Sequence, residues 1–349
     1  MAEPPAALEG IRLVETGGLE LALAGRWLAD LGAEVFKVEP PAGDDTRRLP
    51  PFSRDEPERS FFFEYYHAGK KSLVVDPTSR AAREALADLV AVADVWLDGT
   101  APGERHRFGL DEAALRAINP RMIVVSVTPF GRSGPFAGFR ASDLIAQAAG
   151  GMVYTNGHPG EPPLQGFGLQ AHHASSAYAT IGALLALVER ERSGRGQLVE
   201  ISIQEAVAGA VEEASSAWNG ERRIEERRGS LHWSRYFHVG RATDGWVLEC
   251  TLGDWTTLRE WLNEHGDLAG FEGPEWGETT YRREHAEPLF DAIDRWCARS
   301  PAKDILDGAQ LRRLAFGAVR PPESLRTDDQ LVARGYFAPI PGAEHCGSI

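Results

Sequence analysis

The sequence predicts an α/β protein: a parallel sheet in a larger N-terminal part, then a smaller α+β domain. Three observations carry this expectation. Short apolar segments alternate with helix-length periodic ones from Ile11 to Thr128, a long Ala-rich helix leads into a further strand and helix, and an Asp-Gly pair later separates two β-rich runs. Ile11 to Glu15 reads as a strand, Glu20 to Leu31 as a helix that stops at Gly32, and Glu34 to Val38 as the next strand. The unit recurs with Ser72 to Asp76 as strand, Ser79 to Ala93 as a helix opened by a Ser cap, and Val95 to Asp98 as strand. Met122 to Thr128 adds another strand. His172 to Arg192 is helical, closed by Ser193-Gly194, and precedes a strand at Gln197 to Ser202 and a helix at Ile203 to Ala217. Such alternation predicts a Rossmann-like sheet covered on both faces, with ligands beyond the carboxyl ends of the strands.

The mixed-charge run Glu221 to Arg228 reads as a helix end or linker, and a domain boundary is placed there. Beyond it, Asp244-Gly245 within Tyr236 to Thr251 signals a hairpin. Helices follow at Trp255 to Glu264 and Glu284 to Ala298. The expected organisation is a large domain over 1–220, a small α+β domain over 221–330 and a return segment over 331–349. Neither an internal repeat nor a low-complexity tract is visible.

Composition narrows the function classes. The 349 residues carry 37 Lys+Arg against 51 Asp+Glu, a formal net charge of −14, which argues against general nucleic-acid binding. Any phosphate would need a local basic pocket. With 43% hydrophobic and 25% charged residues the chain reads as soluble and globular. The longest strongly apolar run, Ile181 to Val188, falls far short of the roughly 20 residues that span a bilayer. Met1 to Leu8 lacks the features of a secretory signal, so a cytoplasmic location and no membrane partner are expected. Cys250, Cys297 and Cys346 are widely spaced and form no metal or redox motif, so structural thiols are expected.

Several residues are candidates for chemistry. Gly17-Gly18 follows the first strand, where a dinucleotide fold carries its glycines, but the full spacing is missing and a plain strand-to-helix turn is favoured. Asp143 heads a helical segment and reads as a cap or dipole partner in preference to a buried acid. His172-His173 is an adjacent imidazole pair at the start of the Ala-rich helix. Neighbours on a helix point about 100° apart, so a shared metal is not expected, and each histidine by itself reads first as a hydrogen-bonded structural residue. Lys70, Lys71, Arg107 and Arg140 lie near strand ends or loops and are either phosphate contacts or solvated surface charge.

Taken jointly, several segments resemble the class III CoA transferases, the family of formyl-CoA transferase, carnitine CoA-transferase and acyl-CoA racemases. They are Leu8-Glu9-Gly10-Ile11, Ala29 to Val35 leading into Lys37-Val38-Glu39-Pro40, Lys70-Lys71-Ser72-Leu73, Ser126 to Gly131, Asp143 to Gly151, and Arg192 to Gln197. The resemblance covers nearly the whole chain. It implies a Rossmann-like large domain with a small domain, two interlinked chains, and CoA or acyl-CoA as substrate with no tightly bound cofactor and no metal. It places Arg107 and Arg140 at the nucleotide phosphates and Val75 against adenine. Pro40 and Thr78 stand where some members carry a cation.

The resemblance also implies a nucleophilic aspartate ten residues before Gly182, and His172 stands there. Nothing from Pro162 to Val188 is acidic. The aspartate attacks the acyl-CoA as a carboxylate, giving a mixed anhydride, and then holds CoA as a thioester on its own carbonyl. Imidazole has no carbonyl to hold CoA; it can form an acyl-imidazole or act as a base. A racemase is disfavoured because Ser142 stands where that branch has histidine. The chain also ends soon after Arg334-Gly335-Tyr336-Phe337, earlier than the resemblance implies. The catalytic candidates are therefore His172, His173 and Gln170, and three readings follow. One is a CoA-transferase subunit acting on acyl-CoA and a carboxylic acid, as a homodimer or beside an aspartate-bearing homologue. The others are an acyl-CoA isomerase, lyase or hydrolase with His172 as base, and a non-catalytic acyl-CoA-binding protein.

Overall fold

The computed structural model describes residues 5–101 and 110–337, which divide into two compact units meeting in sequence at Arg227 and Arg228. In the first unit β1 (Arg12–Thr16) leads through α1 (Leu19–Asp30) to β2 (Glu34–Glu39), then α2 (Phe61–His67), β3 (Lys71–Val74), α3 (Arg80–Val92) and β4 (Val95–Asp98). It continues with α4 (Glu112–Ile118), β5 (Ile123–Thr128), α5 (Asp143–Ala149), α6 (Met152–Thr155), α7 (Gln170–Ser193), β6 (Leu198–Ser202), α8 (Ile203–Gly209) and α9 (Glu212–Glu221).

All six strands pair in parallel, in the order β3-β2-β1-β4-β5-β6. This is the doubly wound order whose switch point lies between β1 and β4. Every residue of β4 and β5 is buried, as parallel strands covered on both faces require. On one face α1 and α7 pack over Leu13, Val35, Leu97 and Val125. On the other, Leu86 and Val90 of α3 cover Val14, Trp96 and Val124.

Two expectations change. The helix expected over Ile203 to Ala217 is two helices, because the chain turns at Ala210-Val211 where Gly209 lies against Tyr178 of α7; a Cβ on Gly209 would come within 2.8 Å of the Tyr178 hydroxyl. Helix α9 then runs past Ala217 into the charged segment, and Arg223 ties that segment back by pairing with Glu213 and Glu221. Helix α2 has no counterpart among the expected elements. Its Phe61-Phe62-Phe63-Glu64-Tyr65-Tyr66-His67 run has no clean apolar period, and the Ser60 side chain starts it by accepting from the Phe63 N–H.

The second unit contains β7 (Phe237–Arg241), β8 (Trp246–Cys250), α10 (Trp255–Glu264), α11 (Thr279–Glu284), α12 (Ala286–Cys297), α13 (Ala302–Leu311), β9 (Gly317–Ala318) and α14 (Asp329–Ala333). The hairpin at Asp244-Gly245 forms as expected, with Gly240 opposite Val247. Strand β9, too short for a sequence signal, adds a third antiparallel strand to it. Trp261, Phe290, Ile293, Trp296 and Phe316 fill the core of this unit.

Beneath α1 the first unit buries a set of charges. Glu15 has no exposed surface and lies 2.7 Å from Lys70 Nζ and 3.4 Å from Lys37 Nζ, and Lys37 also reaches Asp44 at 2.8 Å. Gly25 of α1 makes room: a Cβ there would fall 1.8 Å from a Glu15 oxygen. The helix thus tolerates an interior glycine, a loss of about 1 kcal/mol against alanine. His67 is sealed in the same network, its Nδ1 3.1 Å from Lys70 and its Nε2 3.1 Å from Thr46 Oγ1. Burial, helped by the two lysines, pushes its imidazole down to about 2 from an ordinary 6.5.

The pH consequence follows from linkage. Below 6.5 the unfolded chain binds a proton on His67 that the folded chain refuses, so stability is lost as the pH falls from 6.5 toward about 2. His67→Asn should flatten the stability–pH curve between those limits by up to about 1.4 kcal/mol per pH unit, read from urea unfolding at a series of pH values. An unchanged slope would show that His67 is not held neutral.

Candidate functional site

Helix α7 begins at Gln170, and its N-cap residue, Leu169, has no side-chain oxygen to offer the first N–H groups. The acceptor comes from another helix. Asp143, only 7% exposed at the start of α5, accepts the His172 backbone N–H at 2.9 Å through Oδ1 and the Gln147 amide at 2.5 Å through Oδ2. The expectation that Asp143 caps its own helix is corrected: Ser142 does that, accepting from the Ile145 N–H, and Asp143 turns inward to cap α7. A buried carboxylate is stable there because it meets the positive end of a helix of 24 residues. Gln147 extends the link, its Oε1 accepting the Gly166 N–H of the loop that leads into α7.

His172 and His173 point into different surroundings, as their spacing requires. His172 Nδ1 is buried, 3.8 Å from Asp143 Oδ1, and has no hydrogen-bond partner. Burial lowers its pKa, with Asp143 opposing, so the neutral imidazole is favoured near pH 7. His173 Nε2 instead meets the Tyr66 hydroxyl of α2 at 2.9 Å. Gln170, the third candidate, donates its amide to the Phe167 carbonyl at 2.6 Å and so shapes the entry loop. Ser175, one turn on, donates to the Glu20 carbonyl of α1 at 2.9 Å, which places the first turns of α7 beside the loop after β1.

That loop lies at the switch point. A Cβ on Gly17 would come within 2.8 Å of Gly99 Cα, so the loops after β1 and β4 touch there. The Gly18 N–H, which would face a pyrophosphate in a dinucleotide fold, donates to the Glu20 side chain at 2.6 Å. Burial raises the Glu20 carboxyl above the ordinary range. The Gly17-Gly18 pair is therefore a close-packed turn with its own internal acceptor.

The remaining candidates divide by burial. Lys70 is sealed against Glu15, and the exposed Lys71 pairs with Glu34 at 2.6 Å, so the two do not meet at a common phosphate. Val75 is 3% exposed and lies in the core under α3. Arg140 is exposed at the end of a loop where Phe130, Phe136 and Phe139 form a ring cluster, with centroids 5.0–6.4 Å apart. Arg107 lies outside the described residues. Tyr66, Gln147 and Glu20 are absent from the sequence candidates: Tyr66 reaches His173 across the fold, 107 residues away, whereas Gln147 and Glu20 bond Asp143 and Gly18 locally, with Gln147 inside the Asp143 to Gly151 segment that carries the resemblance.

Fold and site together define a two-part α/β protein of the class whose ligands lie beyond the carboxyl ends of a doubly wound sheet. Residues 8–348 match CoA-transferase family III, and the chain belongs to that family. It is 32% identical over 337 residues to the succinyl-CoA:(R)-benzylsuccinate CoA-transferase subunit BbsE of Thauera aromatica, a match that covers 93% of this chain and 82% of that one. To the succinyl-CoA–L-malate CoA-transferase alpha subunit of Chloroflexus aurantiacus it is 29% identical over 351 residues, 98% of this chain and 80% of that one. A CaiB/BaiF family protein from Brucella suis shares the fold with a TM-score of 0.86 at 26% identity, over 96% of this chain and 90% of that one. Among the described residues no helix is long and apolar enough to cross a membrane.

The cap sets a measurable expectation. Asp143→Ala removes the acceptor of the His172 N–H and leaves the Gln147 amide without its partner, so unfolding free energy should fall by about 1–3 kcal/mol in denaturant titration. A loss within error of zero would mean that α7 starts without this carboxylate.

Proposed function

We propose that this chain is the acyl-CoA-binding subunit of a CoA transferase, moving CoA between carboxylic acids beside a partner chain that supplies the aspartate nucleophile. The observation that carries the reading is an imidazole, His172, at the position where the family resemblance implies the nucleophilic carboxylate. The nearest acid, Asp143, is engaged through both oxygens in holding α7 and Gln147, and so is poorly placed to attack a thioester. Two relatives that are themselves named as subunits support a two-chain enzyme. Helix α7 also offers Ile181, Leu185 and Val188, 55–65% exposed at a spacing of four and three, as an apolar face for a second chain. Succinyl-CoA is the donor to try first, because both relatives carry it in their names. For the nucleotide, Arg140 and the aromatic rings of its loop combine a cation for phosphate with flat surfaces for a base.

The chemistry needs both chains. A partner carboxylate attacks the acyl carbon and releases CoA thiolate; the thiolate then attacks the aspartyl carbonyl of the mixed anhydride and frees the donor acid; the acceptor carboxylate displaces CoA thiolate from the resulting thioester to give a second mixed anhydride, and the thiolate attacks its acceptor carbonyl, forming the product thioester and freeing the aspartate. In this chain His172, mostly buried and with its pKa lowered by that burial, lines such a site without offering a carbonyl.

A second reading rests on His172 as an imidazole base with the Asp143 carboxylate 3.8 Å from its Nδ1, near but not hydrogen-bonded: here the lone chain is an acyl-CoA isomerase, lyase or hydrolase. One set of assays separates the two. Under the first reading, CoA exchange from succinyl-CoA is absent with the purified chain and appears when an aspartate-bearing homologue is added, and the two chains co-purify. Full exchange by this chain alone overturns it. Turnover of acyl-CoA by the lone chain, abolished in His172→Ala while CoA binding persists, selects the second.

A further inference from the structure

The second unit sets a fully buried carboxyl group, Glu249, against a half-buried one, Asp294, with no lysine or arginine paired to either among the described residues. Glu249 of β8 has no exposed surface, and neither of its oxygens meets a donor at hydrogen-bonding geometry. The groups acting on it are the Asp294 carboxylate of α12 and the Cys297 thiol one turn further on. Asp294 Oδ1 is likewise buried without a partner, and its Oδ2 lies 3.1 Å from His238 Nε2 of β7. The backbone makes room for this convergence. Gly240 has no side chain where a Cβ would fall 2.1 Å from Asp294 Oδ1 and 2.2 Å from Glu249 Oε1, so any other residue in this strand would fill the space the carboxylates share.

We propose that His238 Nε2, Glu249 and Asp294 bind a divalent cation of the zinc class inside the second unit, independently of the CoA chemistry proposed for the first. One ligand atom from each lies within 4.8 Å of the others. Tetrahedral zinc, with bonds of about 2.0–2.2 Å, holds its ligand atoms about 3.4 Å apart, so closing on an ion asks for side-chain shifts of about an ångström. One imidazole nitrogen and two carboxylate oxygens form a donor set zinc accepts, with a sulfur adjacent. The histidine is also oriented as a ligand should be, since Ser230 Oγ faces Nδ1 at 3.3 Å and the ring lies over Phe290, which leaves Nε2 directed at Asp294. The site would tie both strands of the hairpin to α12, the helix that contributes more residues to the core of this unit than any other element.

The test uses the full chain, stripped with a chelator, dialysed and titrated with Zn2+ by calorimetry, with metal content counted by plasma mass spectrometry. One Zn2+ per chain is expected, together with a rise in melting temperature on its addition. Glu249→Gln, which keeps the shape and removes the charge, and His238→Gln, at the more exposed edge, should each weaken binding roughly tenfold or more and abolish the thermal shift. If Glu249→Gln does not fold, His238→Gln supplies the same comparison. A wild-type chain that takes up less than about 0.1 equivalent and shows no thermal shift with Zn2+, Co2+ or Mn2+ overturns the proposal and leaves a carboxyl pair sharing a proton. Uptake that both substitutions leave unchanged overturns it equally, because the ion is then bound elsewhere.

Discussion

Glu15 is the constraint around which the first unit is arranged. A carboxylate with no exposed surface is destabilising unless charge and hydrogen bonds return what water is denied, and here Lys37 and Lys70 do so from the neighbouring strand and from the segment after α2. Because Lys37 also donates to the Gly17 carbonyl at 3.1 Å, the same network fixes the loop at the switch point. That loop leads into the start of α1, whose Glu20 carbonyl receives the Ser175 hydroxyl of α7. The position of His172 is therefore set partly by a buried ion network that never touches it.

Three buried acids in this protein meet three different environments. Glu15 is answered by lysines. Asp143 is answered by the His172 N–H and the dipole at the start of α7 and by the Gln147 amide, where a carboxylate is welcome without any cation. Glu249 is answered among the described residues by another carboxyl, a thiol and an imidazole. The first two arrangements close their own electrostatics and read as architecture. The third does not, and that asymmetry is why a ligand is inferred in the second unit.

The family membership and the local chemistry bear on different questions. Membership of CoA-transferase family III rests on a match over residues 8–348. The first turn of α7 bears on which steps this chain's own side chains could carry. An imidazole whose protonation is opposed by burial can take up a proton or line a pocket, whereas a covalent CoA thioester requires a carbonyl carbon. Fold similarity leaves this question open, since function resides in the side chains a scaffold carries.

Much of the architecture was written locally. The alternation from Ile11 to Thr128, the Gly194 stop after α7 and the Asp244-Gly245 turn each follow from backbone preference or apolar period, and each forms where expected. The motifs that carry the family resemblance are local as well, as is the identity of residue 172. What the tertiary structure alone decided is which side chains meet. Asp143 turns from its own helix to cap another 27 residues later in the chain, where α7 begins; Lys70 leaves the surface for Glu15; Gly209 breaks a helix against Tyr178; and His238, Glu249 and Asp294 converge from two strands and a helix. The physical reason is common to all four. Propensity and period act over one or two turns of chain, whereas the energy of a buried charge or a tight contact depends on partners that only the folded chain brings within a few ångströms.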